Sequence, residues 1–326
     1  MIGFTTTIPL EIPLAAGRKL VDLNNIFITD EAPQSFIEEA EIAGFPRNIC
    51  GWIKGIYGVT LRHKIPEIIA VTEGDCSNTQ ALMEVLSLKG IRTVPFSYPY
   101  DRSEDSIRLE LEKLCRHFGT TLTDAEAVRQ RLNTVRLKVH EIDRLTWEEN
   151  LVSGGENHYF QVCTSDMNSD VDLFEEEIDQ FLEEVRQRQP RREKLRLAYI
   201  GVPPIFSDIY SILEELDGRV VFNETQRQFS MPYNTPDLIS QYRSYTYPYD
   251  IFTRLEDIEK EIAHRRIDGI IHYVQSFCFR QIEYMIVRQK LKLPVLTLEG
   301  DRPGVMDART RIRIEGFLEM IRAQRA

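Results

Sequence analysis

Three of the five cysteines in this 326-residue chain lie where coordination chemistry needs them. Cys76, in VTEGDCSNTQ, follows the apolar run Ile68–Thr72 and precedes a segment with helical spacing. Cys278, in IHYVQSFCFRQ, stands in the same relation to Gly269–Val274 and the helical pattern after it. Cys50, in FPRNICGWIKG, enters the helical stretch that leads toward the strand carrying Cys76. A thiolate at a helix N-terminus is favoured by the unpaired N–H groups and the positive end of the dipole, which would also stabilise an anionic iron–sulfur cluster. Three thiolates on a 4Fe-4S cluster would leave one iron without a cysteine, open to water, sulfide or substrate, as catalysis needs. The spacing lacks the dense CxxC pattern of ferredoxins, so by itself it leaves open that these are small buried hydrophobes. Cys115, among Leu109, Leu111 and Leu114, and Cys163, closing HYFQVC, read as core packing.

Polar neighbours of these cysteines are candidates for moving protons and orienting ligands. Glu73 and Asp75 flank the strand end before Cys76, and a carboxylate beside an anionic cluster would have its pKa raised by like charge. Asp75 also reads as a cap for the following helix, which leaves Glu73 as the acid/base candidate. Gln275 and Ser276, just before Cys278, could donate to cluster sulfides or to a carbonyl oxygen. His272, three residues before Gln275 on the same strand, points to the other face from Gln275 and reads as a core histidine. Glu299 opens the loop EGDRPG after the last apolar run and is the fourth catalytic candidate. Arg309, Arg311 and Arg313 could meet phosphates but read as a solvated helix face.

The elements that must hold these residues alternate. A strand is expected near Leu20 to Ile28, then helical stretches from Ser35 and Arg47, a strand at Ile68–Thr72, a helix from Asn78 to Lys89 and a further extended run to Tyr98. From Ser103 to Arg188 long charged amphipathic segments predict a helical layer. Strand-like runs return at 195–202, 219–222, 269–274 and 294–298 with helical patterns between them, the signature of a second parallel sheet with helices on both faces. The Arg-rich run from Gln187 to Lys194, containing Pro190, reads as the boundary between them. This gives an α/β chain with a first sheet domain at 1–102 carrying Cys50 and Cys76, a helical segment at 103–190, and a second sheet domain at 191–326 carrying Cys278. In open α/β sheets ligands gather beyond the C-terminal strand ends, where Cys76 and Cys278 fall.

A hydrophobic fraction of 42% and a charged fraction of 28% predict a packed globular chain. A formal net charge of -11 repels phosphate backbones and anionic lipid, so neither nucleic acid nor membrane is an expected partner. The N-terminus, interrupted by acid and proline, is unlike a signal peptide, and nothing later is long and apolar enough to span a bilayer. A cytoplasmic protein is expected, with its odd number of cysteines free or metal-bound. There is no P-loop and no dinucleotide fingerprint.

The segment from Asp268 to Glu319 resembles the C-terminal signature of the 2-hydroxyacyl-CoA dehydratase and benzoyl-CoA reductase family. RNICGWIKG around Cys50, TEGDCSNT around Cys76 and TYPYD at Thr246 to Asp250 are similar to other parts of it. The resemblance implies two flavodoxin-like (Rossmann-like) domains with a helical part, and a 4Fe-4S cluster on Cys50, Cys76 and Cys278. It implies low-potential one-electron reduction of an acyl-CoA thioester, through a ketyl radical anion, leading to dehydration of a 2-hydroxyacyl group or to reduction of an aromatic ring. The implied partners are an ATP-hydrolysing iron–sulfur activator and a homologous second subunit, or a second copy in a homodimer. The chain is shorter than most catalytic subunits of the family. Two other readings accompany this one: a stand-alone ATP-dependent reductase with a double-cubane cluster, for which five cysteines are one short of the six ligands within one chain, and a non-catalytic partner subunit.

Overall fold

The structure, a computed structural model, describes residues 1–192 and 195–325. The last two residues of the expected boundary run, Glu193 and Lys194, lie outside the described residues. Eight strands form two four-stranded sheets: β1 (Ile2–Phe4), β2 (Leu20–Asp22), β3 (Glu67–Glu73) and β4 (Arg92–Ser97) in one, and β5 (Leu195–Gly201), β6 (Gly218–Asn223), β7 (Gly269–Val274) and β8 (Val295–Glu299) in the other. The spatial orders are β2-β1-β3-β4 and β6-β5-β7-β8, parallel throughout. Both sheets thus have flavodoxin-like order, and each has a switch point where the order reverses, between β1 and β3 and between β5 and β7. Strands β3 and β7 are buried along most or all of their length, which is why they read as continuous apolar runs rather than as alternation.

Two elements differ from the sequence expectation. The strand expected from Leu20 to Ile28 ends at Asp22, whose side chain accepts from the Asn24 N–H and starts the helix Leu23–Thr29. A side-chain cap converts an apolar stretch that would otherwise extend. Strand β1 is central in its sheet yet only three residues long, too short for any periodicity to register.

Between the sheets runs the helical layer, with long helices at Glu104–Phe118, Leu122–Trp147 and Val171–Val185 and a shorter one at Gly154–Cys163. Their apolar faces close over one face of the first sheet, where Phe4, Ile69 and Phe96 join Leu132, Val139, Phe174 and the tyrosines Tyr242, Tyr245 and Tyr249. A second cluster is shared by both sheets: Leu23, Ile56 and Ile68 pack in one continuous group with Tyr199, Ile205, Ile271 and Tyr273. Buried ion pairs tie the layers, Arg265 to Asp143 at 2.6 Å and Arg136 to Glu11 at 2.9 Å. Removing one partner would leave the other charged and unpaired, the costly case for a buried pair.

Candidate functional site

The C-terminal ends of the two sheets open onto one cavity of about 130 Å³, on the order of ten times what a single water needs. Its walls come from both switch points: Thr5 and Thr6 after β1, Asp75 and Cys76 after β3, Val202 to Pro204 after β5, and Phe277 to Arg280 after β7. The helix Gly51–Arg62 adds Cys50, Trp52, Ile53 and Ile56, and the helical layer adds His158 and Val162. Cys50, Cys76 and Cys278 therefore line the same space, while Cys115 and Cys163 are buried in the core of the helical layer.

Each of the three sulfurs is set by local backbone. Cys50 and Cys76 are the N-cap residues of the helices Gly51–Arg62 and Ser77–Leu88, and Cys278 lies two residues before the helix Arg280–Lys290. Gly51 is required beside Cys50, because a Cβ there would meet the Asp301 carbonyl oxygen at 2.5 Å. Gly74, at φ +92°, lets the Cys76 loop turn against Tyr98 and Pro248, which joins the GDC and TYPYD segments in space. The Gln275–Cys278 turn is closed by the Cys278 N–H donating to the Gln275 carbonyl at 3.1 Å. It puts Phe277 at φ +57°, a position that favours glycine. That strain, on the order of 1–3 kcal/mol, is held by Asp301, whose carboxylate accepts from the Ser276 N–H at 2.8 Å and from its hydroxyl.

Gln275 is almost fully buried and its Oε1 accepts from the Cys50 thiol at 3.0 Å and the Gly51 N–H at 2.8 Å. It caps a helix of the first half of the chain from a strand end of the second. Among the described residues its Nε2 has no partner in hydrogen-bond geometry; the Tyr273 hydroxyl is a polar neighbour but donates to the Gly300 carbonyl at 2.7 Å. Ser276 and Glu299 meet at the ends of β7 and β8, the serine oxygen 3.2 Å from a Glu299 carboxylate oxygen, and Glu299 accepts from Gln281 at 2.7 Å. Glu73 is exposed, accepts from the Tyr100 N–H at 3.2 Å and is not part of the cavity wall; Asp75 is. Asp75 does not cap the helix after it but accepts from the Thr79 hydroxyl at 2.8 Å, and burial raises its pKa to about 6. His272 is buried, stacked on Tyr284 and 3.3 Å from the Thr297 hydroxyl, as a core histidine is. Arg311 pairs with Glu215 and Glu315, and Arg313 donates to the Thr297 carbonyl, so neither faces the cavity.

Burial pushes the thiols up, Cys76 to about 12 and Cys278 to about 11. Cys50 is pushed furthest, by burial first and then by the neighbouring Cys76 and Cys278 sulfurs, so the three are close enough to repel as thiolates. Burial thus outweighs the helix N-termini and favours the protonated form of each thiol. Among the described residues no three His, Cys, Asp or Glu side chains converge tightly enough to hold a single metal ion. Positive charge is close by: Arg280, 3% exposed, lines the cavity beside Cys278, and Arg254 is held between Glu224 and Glu283.

Several wall residues have no signal in the sequence. Asp22 is the last residue of β2, and His158 reaches the cavity because its helix packs on β6 and on the helix Glu224–Phe229. Asp22 is buried with Asp166, whose Oδ2 accepts the Asp22 N–H at 2.9 Å. Burial, and then its acidic partner, raise Asp166 to about 7; burial raises Asp22 as well. Both acids bind protons more tightly folded than unfolded, so this contribution to stability is present below the ordinary aspartate range and is lost as pH rises toward 7. Asp166→Asn should therefore flatten the decline in melting temperature between about pH 5 and about pH 8. Equal slopes in the two proteins would show that the pair does not titrate this way.

Two flavodoxin-like sheets whose switch points share a thiol-lined cavity define an α/β class of site protein. Residues 5–321 match the family model for the 2-hydroxyglutaryl-CoA dehydratase D-component, and the chain belongs to that family. It is a subunit of the 2-hydroxyacyl-CoA dehydratase type. No curated protein matches the chain significantly. No helix among the described residues is long and apolar enough to cross a membrane.

Proposed function

We propose that the chain holds a 4Fe-4S cluster through Cys50, Cys76 and Cys278 and serves in ATP-activated, one-electron reduction of an acyl-CoA thioester, with dehydration of a 2-hydroxyacyl group as the outcome the family favours. The observation that carries this reading is that three cysteines from three distant segments line one cavity while the other two are packed in a core. The donor set fits the group: three thiols, each at or next to a helix N-terminus, with the Arg254 guanidinium favouring negative charge at Cys278. When bound, such a cluster supplies single electrons at low potential and keeps one iron free of protein thiolate.

The chain's own residues supply the rest. Gln275 holds the start of the Cys50 helix through the Gly51 N–H, and Asp301 holds Ser276 and so the turn that carries Cys278. Trp52, Ile53, Val202, Phe229 and Tyr247 make the wall largely apolar, which excludes water and seats an acyl chain. Asp75, with its raised pKa, is the carboxyl at the wall suited to carry a proton, in place of the exposed Glu73. ATP hydrolysis belongs to a separate activator, since the sequence holds no phosphate-cradling loop. A second subunit or second copy completes the enzyme. Anaerobic reconstitution with iron and sulfide should give brown protein with about four irons per chain. Colourless, iron-free protein would overturn the reading.

A further inference from the structure

We propose that His158 is a fixed, neutral N–H donor that receives the carbonyl oxygen of the acyl thioester in this cavity, an inference that rests on the substrate class proposed above. His158 belongs to the helix Gly154–Cys163 and lines the cavity. Its tautomer is set by a relay that starts at a backbone group whose polarity cannot change. The Gly154 carbonyl accepts from Asn223 Nδ2 at 3.2 Å, which fixes the orientation of that amide. Asn223 Oδ1 must then accept, and the Tyr210 hydroxyl donates to it at 2.8 Å. The Tyr210 oxygen, having spent its proton, accepts from Gln226 Nε2 at 3.3 Å. The same amide nitrogen lies 3.1 Å from His158 Nδ1, which must be the acceptor. The ring proton is therefore on Nε2.

Rotating the Gln226 amide would set its oxygen against a tyrosine oxygen with no proton left to give. The arrangement is kept although Gln226 Oε1 is buried with no partner among the described residues. Asn223 and Gln226 are both 0% exposed, so water does not rearrange the relay. Among the described residues the one hydrogen bond of His158 is made by Nδ1, which leaves Nε2 free on a side chain that lines the cavity. Burial lowers the imidazole pKa to about 4, which keeps it uncharged at neutral pH. A neutral imidazole N–H polarises a carbonyl without placing a full charge in an apolar cavity. The same tautomer gives Nε2 no lone pair, so His158 is not set up as an iron ligand. Val162, one turn further along the helix, and Phe229 line the same cavity as apolar surface for the acyl chain.

The tautomer is read by nitrogen-15 NMR of histidine-labelled, iron-free protein, with the His158 signals assigned by their loss in His158→Gln. A pyrrole-like Nε2 and a pyridine-like Nδ1 are expected, and Gln226→Glu, whose carboxylate must accept, should move the proton to Nδ1. Calorimetry then compares acetyl-CoA with its thioether analogue, in which the carbonyl is a methylene. The native chain should bind acetyl-CoA about ten-fold more tightly, as one hydrogen bond allows. His158→Leu should abolish the difference, and His158→Gln, which keeps an N–H, should retain part of it. A proton on Nδ1 in the native chain, or equal discrimination by His158→Leu, would overturn the inference. Iron content of the same preparations judges the cluster separately, so failure of one reading does not pass for failure of the other.

Discussion

Replacing Cys50, Cys76 or Cys278 singly by Ala will reduce bound iron from about four per chain to a small fraction of that, because each sulfur comes from a different segment and no other cysteine lines the cavity to replace it. Cys115→Ala and Cys163→Ala will retain the iron. Both lie in the core of the helical layer, where losing a small apolar group costs on the order of 1 kcal/mol. Iron and sulfide assays, with circular dichroism to show that every variant is folded, make the comparison. Similar losses at all five positions would mean that the cavity is not the cluster site.

Gly51→Ala is expected to lower stability and iron retention together although it removes no ligand. The added carbon would stand 2.5 Å from the Asp301 carbonyl oxygen and 3.0 Å from Ile205 Cδ1. The side chain could yield, but the backbone of Asp301 is held through its own carboxylate on Ser276. Such overpacking costs about 1–3 kcal/mol, and it moves the helix that starts at Cys50 away from Cys278. A melting temperature lower by several degrees and weaker iron retention should appear together. Gly316, in the helix Ala308–Arg325 with nothing within 4 Å of an added Cβ, is the control. Gly316→Ala should raise stability by up to about 1 kcal/mol through helix propensity. A stable, fully loaded Gly51→Ala protein would show that the two halves of the chain do not meet as tightly as described.

The apolar runs that became β3, β5, β7 and β8 and the amphipathic periodicity of the helical layer were legible because burial on both faces, or on one, imposes a local pattern. The same runs told where Cys76 and Cys278 would lie, since a parallel strand followed by a helix leaves its connecting residues at the ligand-binding edge. The three residues of β1 gave no pattern, and the Asp22 cap turned an expected strand into a helix. Within the site, sequence reasoning took Glu73 over Asp75, two residues apart. Only the left-handed turn at Gly74 decides which carboxyl faces the cavity. His158 and Asp22 carry no motif.

What the sequence by itself determined was the residue types, the two α/β halves and the strand ends on which two of the three cysteines sit. The tertiary structure decided that the two switch points face one cavity, that Gln275 holds Cys50 across 225 positions of chain, and that a histidine from the helical layer reaches the wall with its tautomer set from behind. These rest on long-range packing, Gly51 against Asp301 and the helix of His158 against β6. Local propensity is a property of neighbours in the chain and carries no record of contacts between segments that only the fold brings together.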